Sequence, residues 1–408
     1  MLLMKIDVIT EIVRVLFKYI VVVYLFVGAY YFINLPSGGD ESLFVCDLQL
    51  IKNIGWEGAI VKNISIPYMI LTYPLSLFME DFVALRVANI VLFLVLLCYF
   101  YYSSKIKVQV FYCYILFFSS TVGYFYIGTN DSLFFVALII FLNEVTNAVN
   151  NKNKNFNLAL SALVIAFFTR QLFLVYLPII LIGLFILYKH GSKFTIKSFV
   201  PLGIFVLFIL LNIPSIEKNG SLSFDKKSPP DGLKVSWSQR QYLAQLMVND
   251  GELANGQHPS WEVAKQYLDK NGKESLPDGI LNGITFNYQL TIKEFFKDFA
   301  YSMIYSFRSL GFMLLFALGY WFKGIYKSRK IEYNYFVPLA TLMMLMIFSF
   351  IIISYVELRW LIPVFVMTIV YYSQIEQQNK ISKYFILANY LVLCLFAVYG
   401  IFRIFNKI

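Results

Sequence analysis

Apolar residues run in long uninterrupted stretches along this chain, separated by short polar clusters. The stretches fall at about 13–34, 82–102, 108–127, 131–148, 156–169, 172–188, 197–213, 299–322, 334–354, 359–373 and 383–404. Several reach the roughly 20 residues an α-helix needs to cross a hydrocarbon layer about 30 Å thick. A helix also satisfies its own backbone groups where no water is present. The pattern predicts an all-α polytopic membrane protein of about eleven transmembrane helices. The first stretch, Val15 to Leu35, follows a mixed-charge start and lacks a small-residue cleavage site, which predicts a retained anchor helix.

The turns alternate in charge. Lys105 and Lys107, Lys152 and Lys154, Lys189, Lys193 and Lys197, Lys323, Lys327, Arg329 and Lys330, and Lys380 and Lys383 all fall on one side, which marks that side as cytoplasmic. The opposite short turns, Gly128–Asp131, Thr169–Gln171 and Tyr355–Arg359, are free of lysine and belong outside. The N-terminus is then inside and the C-terminus outside. Three blocks follow: an N-terminal transmembrane module over 1–213 with a first outer loop at 35–80, a small helical extracytoplasmic subdomain over 214–298, and C-terminal transmembrane helices over 299–408. In the middle block, Ser260 is placed to cap a helix from Trp261 to Lys270 that stops at Asn271-Gly272, and Thr291-Ile-Lys-Glu294 reads as a capping box. The segment 225–232, rich in charge and turn formers, predicts a mobile crossing that gates access beneath it. The Asn/Lys run at 150–155 reads as a solvated cytoplasmic turn, and no internal repeat is visible.

Composition narrows the class. Of 408 residues, 59% are hydrophobic and only 14% charged, against roughly 25% charged in soluble domains. That excludes a soluble enzyme. The formal charge of +10 resides in scattered clusters between apolar runs, as topology signals do, so no nucleic-acid partner is implied. Cys98, Cys113 and Cys394 lie within apolar runs and Cys46 stands alone in a polar loop, a spacing that builds neither a disulfide framework nor a zinc site.

Unusual polar groups gather at the outer membrane boundary, where charge suggests function. Gly38-Gly39-Asp40-Glu41 puts two carboxylates directly after the first helix, where one could deprotonate an acceptor hydroxyl. Ordinary solvated loop charges are the alternative, although the amphipathic continuation from Leu43 to Ile54 lays this loop along the membrane. Asp131 sits in a turn too short to wander, as a functional carboxylate or a helix N-cap. Arg170, beside Gln171, is costly in lipid unless paired; its planar fork suits a phosphate, or an ion pair with Asp131 or Glu357. Glu357 and Arg359 open a later helix on the same side. Glu57, Lys62, Tyr68, Tyr73 and His258 are read as structural. Asn-x-Ser matches at Asn63, Asn130 and Asn219 all lie outside, and a glycan at Asn130 would block the proposed turn, which favours a bacterial membrane.

The stretch Glu357-Leu-Arg-Trp-Leu-Ile-Pro363 resembles the Glu-x-Arg-Tyr-x-x-Pro motif of the GT-C superfamily of membrane glycosyltransferases, with Trp360 in place of tyrosine. Asp40-Glu41 is similar to the family's acidic first outer loop. Phe82-Val-Ala-Leu-Arg-Val-Ala-Asn resembles its helix with Arg-Leu-like pairs, and Asp131-Ser-Leu-Phe its second acidic turn. The resemblance implies a compact bacterial enzyme of the inner membrane that moves a hexose, with glucose favoured, from a polyprenyl-phosphate carrier to a surface or lipid-linked glycan on the periplasmic face. Arg170, Gln171, Glu357 and Arg359 would bind the lipid phosphate or sugar, Asp40 or Glu41 would act as base with inversion, and Asp131 would orient the acceptor. No cofactor or metal is needed, since phosphate already leaves well, though the outer carboxylates could hold a divalent cation. The alternatives are an O-antigen-type polymerase or ligase and a lipid-linked glycan transporter. A transporter would place polar, broken helices at mid-membrane.

Overall fold

The computed structural model describes residues 2–150, 155–190, 199–224, 233–328 and 335–407, and every regular element among them is helical. Segment 225–232, with its predicted mobile crossing, lies outside the described residues, as do Lys152, Lys154, Lys193, Lys197, Arg329 and Lys330. In chain order the α-helices are α1 (Leu2–Asn34), α2 (Asp40–Val61), α3 (Ile66–Ser76), α4 (Asp81–Cys98), α5 (Gln109–Val122), α6 (Asp131–Val149), α7 (Phe156–Thr169), α8 (Leu177–Lys189), α9 (Phe199–Leu211) and α10 (Ile213–Asn219). They continue as α11 (Trp237–Asn249), α12 (Trp261–Asn271), α13 (Ile280–Phe286), α14 (Tyr288–Leu310), α15 (Met313–Ser328), α16 (Phe336–Phe350), α17 (Ile362–Gln377) and α18 (Lys383–Phe405).

Every predicted apolar run falls on one of these helices or on a bent pair, but their lengths differ. Five helices are long and apolar enough to cross a membrane alone, or seven if the bent pairs α9–α10 and α14–α15 each count as one span. Helices α5, α7, α8 and α16 are apolar but shorter. Breaks in the backbone set these lengths: Gly123, in the left-handed region at φ 73°, closes α5, and Gly311, at φ 54°, separates α14 from α15. The protein is therefore a helical, membrane-embedded chain with five to seven full-length candidate spans among the described residues.

The chain divides into two compact units. The first comprises Met1–Asp225, Phe307–Thr341 and Ile362–Ile408; the second comprises Lys226–Ser306 and Leu342–Leu361. At the heart of the first unit is α6, with 94% of its span buried against α4, α7, α8 and α17. Its middle, 133–142, is hydrophobic all round, as a helix segment enclosed by other helices must be. By contrast α1 and α18 pack along each other at the rim with 22% and 33% of their spans buried. They leave Tyr19, Phe26, Tyr30, Leu395 and Phe402 exposed, an apolar surface that lipid and not water can cover.

The first long loop is itself helical. Phe44, Leu48 and Ile51 on the inner face of α2 pack with Tyr68 and Met69 of α3 and Leu85 of α4, which realises the amphipathic pattern seen from Leu43. Gly55, at φ 74°, kinks α2. In the second unit α11 and α12 enclose Tyr242, Leu243, Ala264 and Leu268. The Ser260 cap forms as predicted, its Oγ accepting from Val263 N at 3.2 Å, and Gly272 ends the helix. The Thr291 capping box does not form. α14 starts earlier, at Tyr288, because Asn287 Oδ1 accepts from Leu290 N at 3.1 Å, and the Thr291 hydroxyl instead donates to Ile284 O at 2.8 Å. A true capping box joins Ser236 and Gln239 at the start of α11.

Gly311 tests this packing. Its N–H donates to Phe307 O and that of Phe312 to Asn389 Oδ1 at 2.8 Å; a Cβ at Gly311 would stand 2.7 Å from Asn389 Oδ1 and 2.9 Å from Leu393 Cδ2. Gly311→Ala should lower stability in detergent by about 2 kcal/mol, read as the midpoint of thermal unfolding. Gly319→Ala, inside α15 where a Cβ meets nothing within 4 Å, should not lower that midpoint and should raise it slightly.

Candidate functional site

Helices α1, α5 and α7 finish at the end of the first unit where α2, α4 and α6 begin, and the polar residues singled out in this part of the sequence collect there. Glu41 and Arg86, 2% and 4% exposed, form a bidentate pair: Arg86 Nε donates to Glu41 Oε1 at 2.8 Å and Nη2 to Oε2 at 2.5 Å. The remaining Arg86 nitrogen, Nη1, donates to Ile33 O at 2.6 Å and Leu35 O at 2.8 Å. One guanidinium thus ties the first turn of α2 to carbonyls that α1 leaves unpaired at its C-terminus. Glu41 Oε1 also accepts from Gly128 N at 2.7 Å. A Cβ at Gly128 would fall 2.8 Å from that same oxygen and collide with Leu85, so the residue has to be glycine for the backbone to approach the carboxylate. One turn along α4, Asn89 Nδ2 donates to Ile127 O and to Thr129 O, the latter at 3.0 Å.

The turn from Gly128 carries the second pair. Asp131, 1% exposed, forms an ion pair with Arg170 at the C-terminus of α7, and Asp131 Oδ2 accepts from Thr129 Oγ1 at 3.3 Å. Asn130 occupies the N-cap position of α6 without capping it, because its Nδ2 donates to Thr169 O at 3.2 Å. Ser65 Oγ donates to the same carbonyl at 2.9 Å. Asp131 is therefore the partner of Arg170 and not a side-chain cap, one of the pairings open to Arg170 from its sequence context. A five-residue arc, Glu41, Arg86, Asn89, Asp131 and Arg170, converges on one turn.

Asp40 is the first residue of α2 and is only half-buried, whereas its neighbour Glu41 points inward. Gly39, at φ 60°, supplies the turn before it. Gln171 opens a short 3-10 turn and is exposed, away from the buried pairs. In the second unit Glu357 and Arg359 are ion-paired across the 3-10 turn Leu358–Leu361, with Trp360 N donating to Glu357 O at 2.9 Å. The Trp360 ring packs on Phe348 at 5.6 Å between centroids. His258 reaches Ser354 at 3.4 Å, and Tyr68 is fully buried, both consistent with structural roles.

Hydropathy alone pointed to neither Arg86 as the partner of Glu41 nor the polar clusters at the opposite end of the first unit. There the buried Glu144 accepts from Tyr99 OH and from Asn155 N, both at 2.6 Å, and Glu376 accepts from Tyr114 OH at 2.8 Å and Tyr390 OH at 2.5 Å. Glu376 borders a cavity of about 410 Å³ that Arg14, Lys18 and Lys383 also line. A carboxylate closing an otherwise apolar run was the available signal. The four cysteines are free, and no group of three His, Cys, Asp or Glu placed to hold a metal occurs among the described residues. No protein-family profile matches the chain, and no curated protein or solved structure is significantly similar to it.

Removing one partner of a buried ion pair leaves the other charge uncompensated, at a cost of about 3–5 kcal/mol. Arg86→Met should accordingly unfold the protein at a markedly lower temperature in detergent. Glu41→Leu combined with Arg86→Met should recover most of the loss. Equal damage from the single and double variants would mean the pair does not hold these helix ends together.

Proposed function

We propose that this chain is a GT-C-type glycosyltransferase of a bacterial inner membrane, transferring a hexose, with glucose the first candidate, from polyprenyl phosphate to a glycan acceptor outside the cell. In this reading the apolar runs make about eleven crossings, the shorter helices spanning with their polar flanks, and the end of the first unit that holds Asp40, Asp131 and Arg170 faces the periplasm because the lysine-rich turns lie at the other.

One observation carries most weight: adjacent carboxylates at the start of α2 have different fates. Both Glu41 oxygens already accept from Arg86, and one also from Gly128, so its carboxylate is turned to these donors and away from an acceptor hydroxyl. Asp40, half-buried beside it, is assigned as the general base, and Glu41 as a positioning residue. Asp40 takes the proton of the acceptor hydroxyl, the acceptor oxygen bonds to the anomeric carbon, and the bond from that carbon to the phosphate oxygen breaks with its electron pair left on the phosphate. Attack opposite the leaving group inverts the anomeric centre. Arg170 or Arg359, each paired with a carboxylate in its own unit, binds the lipid phosphate, its planar fork matching two phosphate oxygens. Gln171 and Glu357 assist in binding donor and acceptor.

The test is sugar transfer by purified protein in lipid, supplied with polyprenyl-phosphate hexoses. Asp40→Asn should reduce turnover by about a hundredfold or more with a smaller loss of thermal stability than Glu41→Gln, which should lose stability and activity together. Full activity of Asp40→Asn, or extension of lipid-linked repeat units with no monosaccharide carrier consumed, overturns the assignment.

A further inference from the structure

Helix α14 carries two acidic residues one turn apart on one face, Glu294 and Asp298, and both are buried, at 1% and 4% exposure. Like charges at this spacing repel, and burial in a poor dielectric worsens the repulsion. Glu294 is partly compensated: Oε1 accepts from Asn249 Nδ2 of α11 at 2.9 Å, and Oε2 pairs with Lys297 at 3.0 Å. Lys297 itself is 41% exposed, so its charge is largely shared with solvent. Asp298 has less support: the Lys297 charge acts on it only through space, and its Oδ2 is buried with no hydrogen-bond partner. One turn further on, Ser302 is wholly buried, and its hydroxyl also lacks a partner, not even the helix carbonyl that Ser hydroxyls commonly find.

Helical spacing lines these three side chains along one stripe: carboxylate, carboxylate, hydroxyl at intervals of four residues. Every group on the stripe offers oxygen, none nitrogen or sulfur, and the set carries two negative charges against one half-solvated ammonium. A hard divalent cation is what such a set would bind. Neither carboxylate belongs to the arc at Gly128–Asp131, and the stripe lies wholly within the second unit.

We infer that Glu294, Asp298 and Ser302 form a binding site for a hard divalent cation, Ca²⁺ in preference to Mg²⁺. Calcium accepts an irregular, partly hydrated oxygen set, whereas magnesium demands near-octahedral geometry. The ion satisfies the orphaned Asp298 oxygen and the Ser302 hydroxyl, relieves the repulsion between the carboxylates, and through Glu294 and Asn249 holds α14 to α11. The inference stands apart from the sugar-transfer reading, because the site is proposed as structural.

Thermal unfolding of the full chain in detergent, after chelation and then with Ca²⁺ or Mg²⁺ added, tests it, alongside sensitised luminescence of Tb³⁺ as a calcium substitute. Wild type should unfold at a higher temperature with Ca²⁺ than in chelator, and should bind Tb³⁺ displaceably by Ca²⁺. Asp298→Asn should weaken Tb³⁺ binding by about tenfold or more and abolish the Ca²⁺-dependent shift, while unfolding in chelator no earlier than wild type, since the substitution removes the repulsion. Ser302→Ala should reduce the Tb³⁺ affinity less. A wild type whose unfolding is the same with and without Ca²⁺, or an Asp298→Asn protein that keeps the full shift, overturns the site; the first result would mean that Asp298 is held neutral by a proton instead.

Discussion

A charged group removed from water must find hydrogen-bonding partners, best of all an opposite charge, and in this chain that constraint decides how the helix ends meet. Arg86 is the clearest case. Its guanidinium makes four hydrogen bonds, two to one carboxylate on α2 and two to carbonyls at the end of α1, so a single side chain joins three segments that are distant in sequence. Glu41 passes the constraint on to Gly128, and the turn that begins at Gly128 delivers Asp131 to Arg170. The polar end of the first unit is thus a relay of satisfied charges rather than a set of solvated loop residues.

The same constraint separates residues with different tasks. A carboxylate that accepts two guanidinium bonds and a backbone N–H is held rigidly in place, whereas its half-buried neighbour at the helix edge keeps part of its surface exposed. Asp40 and Glu41 stand in that relation, and the division of labour proposed for them follows from it. At the opposite end of the unit, tyrosine hydroxyls and a backbone N–H do for Glu144 and Glu376 part of what Arg86 does for Glu41. The Oδ2 of Asp298, in the second unit, lacks even that provision, which sets this acid apart from the other buried ones.

Packing in apolar surroundings imposes a second rule, close approach through glycine. Gly128 admits the Glu41 carboxylate, and Gly311 admits Asn389 and Leu393 where α14 gives way to α15. Both positions join polar satisfaction to tight contact. Substitution there is felt in the hydrogen-bond network as much as in the volume it adds.

The chain's hydropathy was enough to determine that it is helical and membrane-embedded, because a stretch of some twenty apolar residues has no other stable arrangement in lipid. Local signals also sufficed for the Ser260 cap and its Gly272 stop, whose partners lie within one helical turn, and the amphipathic face of α2 was visible from Leu43 onward. The length of each span was not so determined: breaks at Gly123 and Gly311 shorten or bend helices whose apolar composition runs on past them. Nor was the start of α14, where Asn287 out-competes the Thr291 box four residues later. The pairing of Glu41 with Arg86, 45 residues apart, and that of Asp131 with Arg170, belong to tertiary structure alone. Sequence spacing carries periodicity along one helix, whereas which charge neutralises which depends on where separate helices end in space.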